Sequence, residues 1–508
     1  MSPSSRQWDD RNAAPIDSLP AEILLAIFAC AAQAHDQDRP CYDDPSIYQH
    51  FRRRTNPVIA SSHVSRRWRA LTHSTPSLWT TLYLDGDIDG DRAEAKAMWW
   101  NRRATIPPPP SRSHEARGTA EFAQGEDERT TVPPPTETSK RSEVVSLVMT
   151  RVQDWTPDDF VGLCDSLELL HLEQSLESVR FSWMGGGLST DENRQLQTAF
   201  RFLLPSAPTL KNLTVHSASH LRIGFSLPRL GHTFSALEQV EIRSCKLALP
   251  ASDAYLLPTF LPRYAGESDW RPLTSLKRLV LVGPVWRLRY QDGTIASPVV
   301  SSADLPALEF AHLGSTAPPV FWDLLSHQSG TLRHLILEDH FDHPNLPDPD
   351  LALGLANLCT IKLLRSAPLA TRLLNCALHR TGRPALRFLN LETLELPGAQ
   401  QLEQGHLDLF ATTRAPSLRR LVLSDTTLAR SNPPPTNQQL QLPDMARLED
   451  LVLVQVEWTT AAAIVEAVET SCMPRLRRLT TDLQIGDLDR WKLQYRDVEI
   501  RTDCDESV

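Results

Sequence analysis

The apolar positions of this chain fall into two regimes. From about residue 143 onward they recur as one short phrase: leucine, two variable residues, leucine, one variable residue, leucine. It reads LELLHL (167–172), LKNLTV (210–215), LEQVEI (237–242), LKRLVL (276–281), LEFAHL (308–313) and LRHLIL (332–337). It continues as LCTIKL (358–363), LETLEL (391–396), LRRLVL (418–423), LEDLVL (448–453) and a decayed LRRLTT (476–481). VVSLVM (144–149) and WTTLYL (79–84) fit as earlier, irregular copies. A strand alternates its faces with a period of two, so the last two apolar positions point together into a core while the leading leucine closes the turn beneath them. One such unit cannot bury its apolar side alone, but stacked units build a continuous parallel sheet and a continuous core. The stretches between copies, such as 191–204 and 460–471, read as helices. Proline before many copies, as in APSLRRL and MPRLRRL, stops a helix and sets an extended lead-in.

Neighbouring copies start 24 to 43 residues apart. That range overlaps and exceeds the leucine-rich repeat. The expected fold class is α/β: a small N-terminal helical unit, then a leucine-rich-repeat solenoid with parallel strands on its concave side and helices on its convex side.

The N-terminal regime is helical. In residues 15–30, Leu19, Ile23, Ile27 and Phe28 fall at helical spacing. Ser18 is a cap candidate, Pro20 suits a first turn, and Glu22 favours the positive end of the helix dipole. Residues 33–57 are polar and read as a loop insertion. Residues 58–71 read as a second amphipathic helix, with Val64, Trp68 and Leu71 on one face. A short turn then carries Leu78 and Trp79. The expected organisation is a disordered N-terminus over 1–14, the helical unit over 15–82 and a helical connection over 83–103. A proline-rich disordered insertion follows over 104–142, then the repeats over 143–500 and a tail over 501–508.

Charge narrows the function classes. A net charge of −10 and a pI near 5.9 argue against general affinity for nucleic acid. The eight cysteines are scattered without a CxxC pair, so neither a disulfide framework nor a zinc module is expected. The N-terminus lacks a signal-peptide pattern, and no apolar run approaches the roughly 20 residues a membrane span needs. A reduced cytoplasmic or nuclear setting follows. Candidate chemistry is thin. Asp85, Asp87, Asp89 and Gly90 imitate the start of a calcium loop, but Lys96 stands where the bidentate glutamate belongs. His340 and His343 sit among acids in a proline-rich stretch with no fixed geometry, and the glycines at 185–187 lack the rest of a phosphate loop. No catalytic residue, cofactor or metal is expected.

At residues 15–84 the chain resembles the F-box family, particularly its fungal members, through IDSLPAEILLAIF, then VSRRWRAL, then STPSLWTTLYL. In that family the F-box binds a Skp-type adaptor, which links it to a cullin and so to a ubiquitin-conjugating enzyme. The resemblance implies a non-catalytic substrate receptor. It carries adaptor binding onto Leu19, Pro20, Ile23, Ile27, Phe28, Val64, Trp68, Leu78 and Trp79. The alternative is an interaction scaffold of leucine-rich repeats acting outside the ligase.

The variable positions of the eleven repeat copies carry nine basic and eight acidic residues, a sum of +1 against −10 for the chain. The strand face is therefore the expected surface for a protein partner, through charge complementarity. The residues singled out there are Arg333, Arg419, Arg420, Glu449, Asp450, Arg477 and Arg478.

Overall fold

The computed structural model describes residues 19–37, 57–104, 144–172, 175–183, 190–217, 234–244, 274–282, 306–314, 331–338, 357–364, 374, 388–397, 400–402, 404–424, 427–428, 442–454, 473–481 and 498–502. The stretches 1–14 and 460–471, the glycines at 185–187, His340, His343 and all of 104–142 but Ala104 lie outside the described residues. The chain forms two compact units. One draws on residues 1–149 and 158–177, the other on 150–157 and 178–508.

The first unit opens with α1 (Ala21–Gln37), α2 (Pro57–Val64) and α3 (Arg66–His73). A 3₁₀ turn over Pro76–Trp79 leads to β1 (Thr81–Asp85) and α4 (Gly90–Ala104). Strand β2 (Ser146–Thr150) pairs with β1, and α5 (Pro157–Leu169) follows. Two sequence expectations change here. Helix α1 continues through residues 33–37, the start of the expected loop, because Ala31, Ala32 and Ala34 favour helix and the first proline comes only at Pro40. The expected single helix over 58–71 is two helices, broken at Ser65. Its backbone is extended (φ −148°), and its hydroxyl accepts the Trp68 N–H at 3.2 Å, so it caps α3. Arg69 Nε bridges the break to the Ser62 carbonyl at 3.0 Å.

Tryptophans hold this unit together. Trp79 is fully buried and its indole N–H donates to the Thr72 carbonyl at 2.7 Å. The Trp100 indole donates to the Trp79 carbonyl at 2.7 Å, and the two rings meet edge to face at 4.8 Å. Asp89 caps α4 by accepting the Arg92 N–H at 2.9 Å, and Asp85 accepts the Asp87 N–H at 3.1 Å. Two of the three calcium-like acids, Asp85 and Asp89, thus serve the turn.

LELLHL (167–172) is not a strand. Phe160, Leu163, Cys164 and Leu167 are buried at helical spacing, so the segment ends α5. His171 then takes a left-handed conformation (φ 54°), which closes the helix. The strand of that repeat comes a few residues later, in the second unit, as β3 (Ser178–Trp183). Its copy of the phrase is LESVRF, with Leu176, Val179 and Phe181 buried.

In the second unit, the other ten copies form strands: β4 (Asn212–Ser217), β5 (Gln239–Ser244), β6 (Arg278–Val282), β7 (Phe310–Gly314), β8 (His334–Glu338) and β9 (Thr360–Leu364). They continue as β10 (Thr393–Pro397), β12 (Arg420–Ser424), β14 (Asp450–Val454) and β15 (Arg478–Thr481). Strand β16 (Glu499–Thr502) closes the series, two residues past the expected end of the repeats. They lie side by side in chain order and pair in parallel, while β11 (Gln400–Leu402) and β13 (Thr427–Leu428) pair separately. The apolar positions stack in register: Leu394, Leu421, Leu451 and Leu479 form one buried row. Each such side chain contributes about 1.5–3 kcal/mol by leaving water. Helix α6 (Thr190–Leu203) occupies the stretch expected to be helical over 191–204.

Two regularities were not in the sequence reading. First, the carbonyl of the second position of each phrase accepts two N–H groups from the next repeat. Lys211 takes those of Glu238 and Gln239, and the series continues in the same way to Glu449, which takes those of Arg477 and Arg478. This backbone staircase locks the register of neighbouring repeats. Second, a buried residue stands three places before the leading leucine: Phe234, Phe388, Ala415, Met445 and Met473. Its carbonyl accepts that leucine's N–H at 3.1 to 3.4 Å, closing the turn beneath the strand.

Candidate docking surfaces

Along α1, the inner stripe runs through Leu24 and Phe28, which are 0% and 2% exposed. Ile23 and Ile27, one position earlier, are 48% and 41% exposed and point outward. Phe28 instead packs on Trp68, ring centroids 4.8 Å apart. Val64, at the end of α2, is 59% exposed, Pro20 is exposed and Leu19 half-buried. Arg67 Nη2 donates to the Leu19 carbonyl at 2.7 Å and ties α3 to the start of α1. The nine residues expected to bind an adaptor therefore separate. Phe28, Trp68, Leu78 and Trp79 are core of this unit, while Pro20, Ile23, Ile27 and Val64 are exposed.

Residues 16–85 match the F-box-like family. The F-box-like region therefore covers α1 to β1, including the buried Phe28, Trp68, Leu78 and Trp79 and the exposed apolar side chains. No curated protein matches the chain.

The strand face of the second unit is polar and sorted by row. The second positions of the phrases alternate in sign: Lys211, Glu238, Lys277, Glu309, Arg333, then Cys359, then Glu392, Arg419, Glu449 and Arg477. Lys277 Nζ reaches Glu238 Oε2 at 2.9 Å, and this hydrogen bond holds the lysine's pKa above its ordinary value. Arg333, Arg419, Glu449 and Arg477 belong to this rail. Arg420, Asp450 and Arg478 belong to the first outward row of the strands themselves, in direct register on β12, β14 and β15. The five arginines expected on the partner surface thus occupy two rows. Glu168, counted with the strand charges, lies on α5.

Three clusters mark the outward rows. Near the start, His216 Nε2 and Arg243 Nε both contact Glu241 Oε1, at 3.0 and 2.7 Å. Burial would raise the Glu241 pKa, but the hydrogen bonds and charges of His216 and Arg243 outweigh it and hold the carboxyl down at about 2. Burial lowers the His216 pKa, against the opposing hydrogen bond and charge of Glu241. In the middle, the Arg278 guanidinium stacks on Phe310 at 3.8 Å, with His334 beside that ring, and His312 meets Glu338 at 3.1 Å. Toward the end, Lys362, Glu395, Arg420, Asp450 and Arg478 link into one chain of ion pairs.

Among the described residues, no group of three or more His, Cys, Asp or Glu side chains is placed to hold a metal, and no helix is long and apolar enough to cross a membrane.

Proposed function

We propose that this chain is the substrate receptor of a Skp–cullin–F-box ubiquitin ligase, acting in the cytoplasm or nucleus. The observation that carries the reading is the F-box-like region with Ile23, Ile27 and Val64 left exposed on a rigid tryptophan core. Exposed aliphatic side chains on a small folded unit suit burial by a partner. In this reading Pro20, Ile23, Ile27 and Val64 meet the Skp-type adaptor, and Phe28, Trp68, Leu78 and Trp79 hold them in place. The leucine-rich-repeat strands present a protein substrate to the ligase, and all catalysis belongs to the partners. The test is purification of the full chain from eukaryotic cells with its adaptor measured by mass spectrometry. A Skp-type adaptor at near-stoichiometric yield is expected. Its absence from the purified chain overturns the reading in favour of a repeat scaffold acting outside the ligase.

A further inference from the structure

The ion-pair chain at the end of the strand face has an unequal exposure of its two signs. Lys362, Glu395, Arg420, Asp450 and Arg478 alternate in charge, three cations to two carboxylates, a surplus of 3 − 2 = +1. The carboxylate side chains of Glu395 and Asp450 are only 13% and 5% exposed, whereas Lys362, Arg420 and Arg478 are 33%, 39% and 54% exposed. The anions form the floor and the cations the surface. In the two histidine-containing clusters nearer the start of the face the order is reversed. Glu241 is more exposed than His216 and Arg243, and Glu338 is more exposed than His312.

Asp450 sets the geometry. Its Oδ2 receives Nη1 of Arg420 and Nη2 of Arg478, so two guanidiniums converge on one oxygen. Arg420 is held a second time by Nε on Glu395 Oε1 at 3.1 Å. A guanidinium carries five N–H donors, so both arginines keep donors beyond these contacts. In the next outward row Val422 and Val452 lie half-buried on β12 and β14, an apolar strip beside the arginines.

The geometry points to a seat for an acidic peptide segment of the substrate, with an Asp or Glu carboxylate between Arg420 and Arg478 and an aliphatic neighbour on Val422 and Val452. This rests on the reading that the strand face receives a substrate, and it names that substrate's chemistry. A carboxylate, at −1, neutralises the surplus, whereas a phosphate, at about −1.5 to −2, overshoots it. Asp450 is a positioning residue. It fixes two long side chains in advance, which lowers the ordering entropy lost on binding.

The test uses the full chain and fluorescein-labelled peptides alternating valine with glutamate, glutamine or phosphoserine. The glutamate probe is expected to bind at least tenfold more tightly than the glutamine probe and more tightly than the phosphoserine probe. Arg420→Gln with Arg478→Gln should weaken it at least tenfold. Arg477→Gln, an exposed arginine in the neighbouring rail, should change it less than twofold. Asp450→Asn raises the surplus to +2, so a face acting by net charge alone would bind the glutamate probe more tightly, whereas positioning predicts several-fold weaker binding. If that variant does not fold, the exposed arginine variants carry the test. The inference is overturned by equal binding of the glutamate and glutamine probes, by preference for phosphoserine, by a loss from Arg477→Gln equal to that from Arg420→Gln with Arg478→Gln, or by tighter binding to Asp450→Asn. Adaptor content is measured in the same preparations. Lost probe binding with the adaptor present refutes only the acidic seat, and intact probe binding without the adaptor refutes only the ligase reading.

Discussion

Replacing both Ile23 and Ile27 by alanine separates docking from folding. The two side chains are 48% and 41% exposed, so nearly half of each remains for a partner to cover. Full burial of an isoleucine is worth about 1.5–3 kcal/mol, which makes the uncovered part worth roughly 0.7–1.3 kcal/mol each. Truncating both should weaken adaptor binding by about 1.4–2.7 kcal/mol, or roughly tenfold to a hundredfold in Kd. Stability should fall by about 1–2.5 kcal/mol, since the buried half of each side chain is also lost and the better helix propensity of alanine offsets only part of it. Trp79→Phe provides the contrast. Trp79 is 0% exposed and its N–H satisfies the Thr72 carbonyl, so this substitution should cost about 1–3 kcal/mol of stability. Adaptor affinity should stay unchanged while the unit is folded. The assay is biolayer interferometry of the full chain against a purified Skp-type adaptor, with thermal melts of the same samples. Wild-type affinity in the isoleucine pair, together with weakened affinity in folded Trp79→Phe, would refute the division between outer face and core.

Other substitutions test the packing and the charges. Ser65→Ala removes the cap of α3 and should cost about 0.5–2 kcal/mol in denaturant melts, whereas an unchanged midpoint would mean the helix break does not depend on the hydroxyl. Leu451→Ala opens a cavity in the row between Leu421 and Leu479 and should cost about 2–5 kcal/mol; a loss below 1 kcal/mol would show that the repeats collapse around the gap. Glu241 titrates below its ordinary value of 4.5, at about 2, so its contribution is present above the ordinary value and is lost as pH falls toward the folded one. Melting temperatures of wild type and Glu241→Gln should therefore converge between pH 5 and pH 2, and parallel curves would contradict the pairing with His216 and Arg243.

The strand phrases were legible because alternation is local. Ten copies became strands, and their described apolar positions are buried, since a period of two leaves each segment one way to hide its apolar side. The same rule misread LELLHL. Read alone it fits a strand, but Phe160, Leu163 and Cys164 upstream continue a helical period, and the true copy begins at Leu176. The cap at Ser65 obeys a local rule as well, but the apolar pattern runs straight through it, and the cap expected at Ser18 lies outside the described residues.

Which apolar residues face inward was decided by packing. Ile23 and Leu24 are neighbours of equal hydrophobicity; Leu24 shares the buried stripe of α1 with Phe28, which packs on Trp68, so Leu24 is core and Ile23 is surface. The sequence by itself determined the kinds of element, their order and the sign of each charge, because those depend on residues a few places apart. Only the tertiary structure decided which charges meet. Arg420 and Asp450 lie thirty positions apart, and they share an ion pair with Arg478 because parallel register stacks the same position of successive repeats. That register depends on long-range backbone pairing, and within it the short carboxylates lie beneath the longer arginine side chains, so the carboxylates are buried and the arginines exposed.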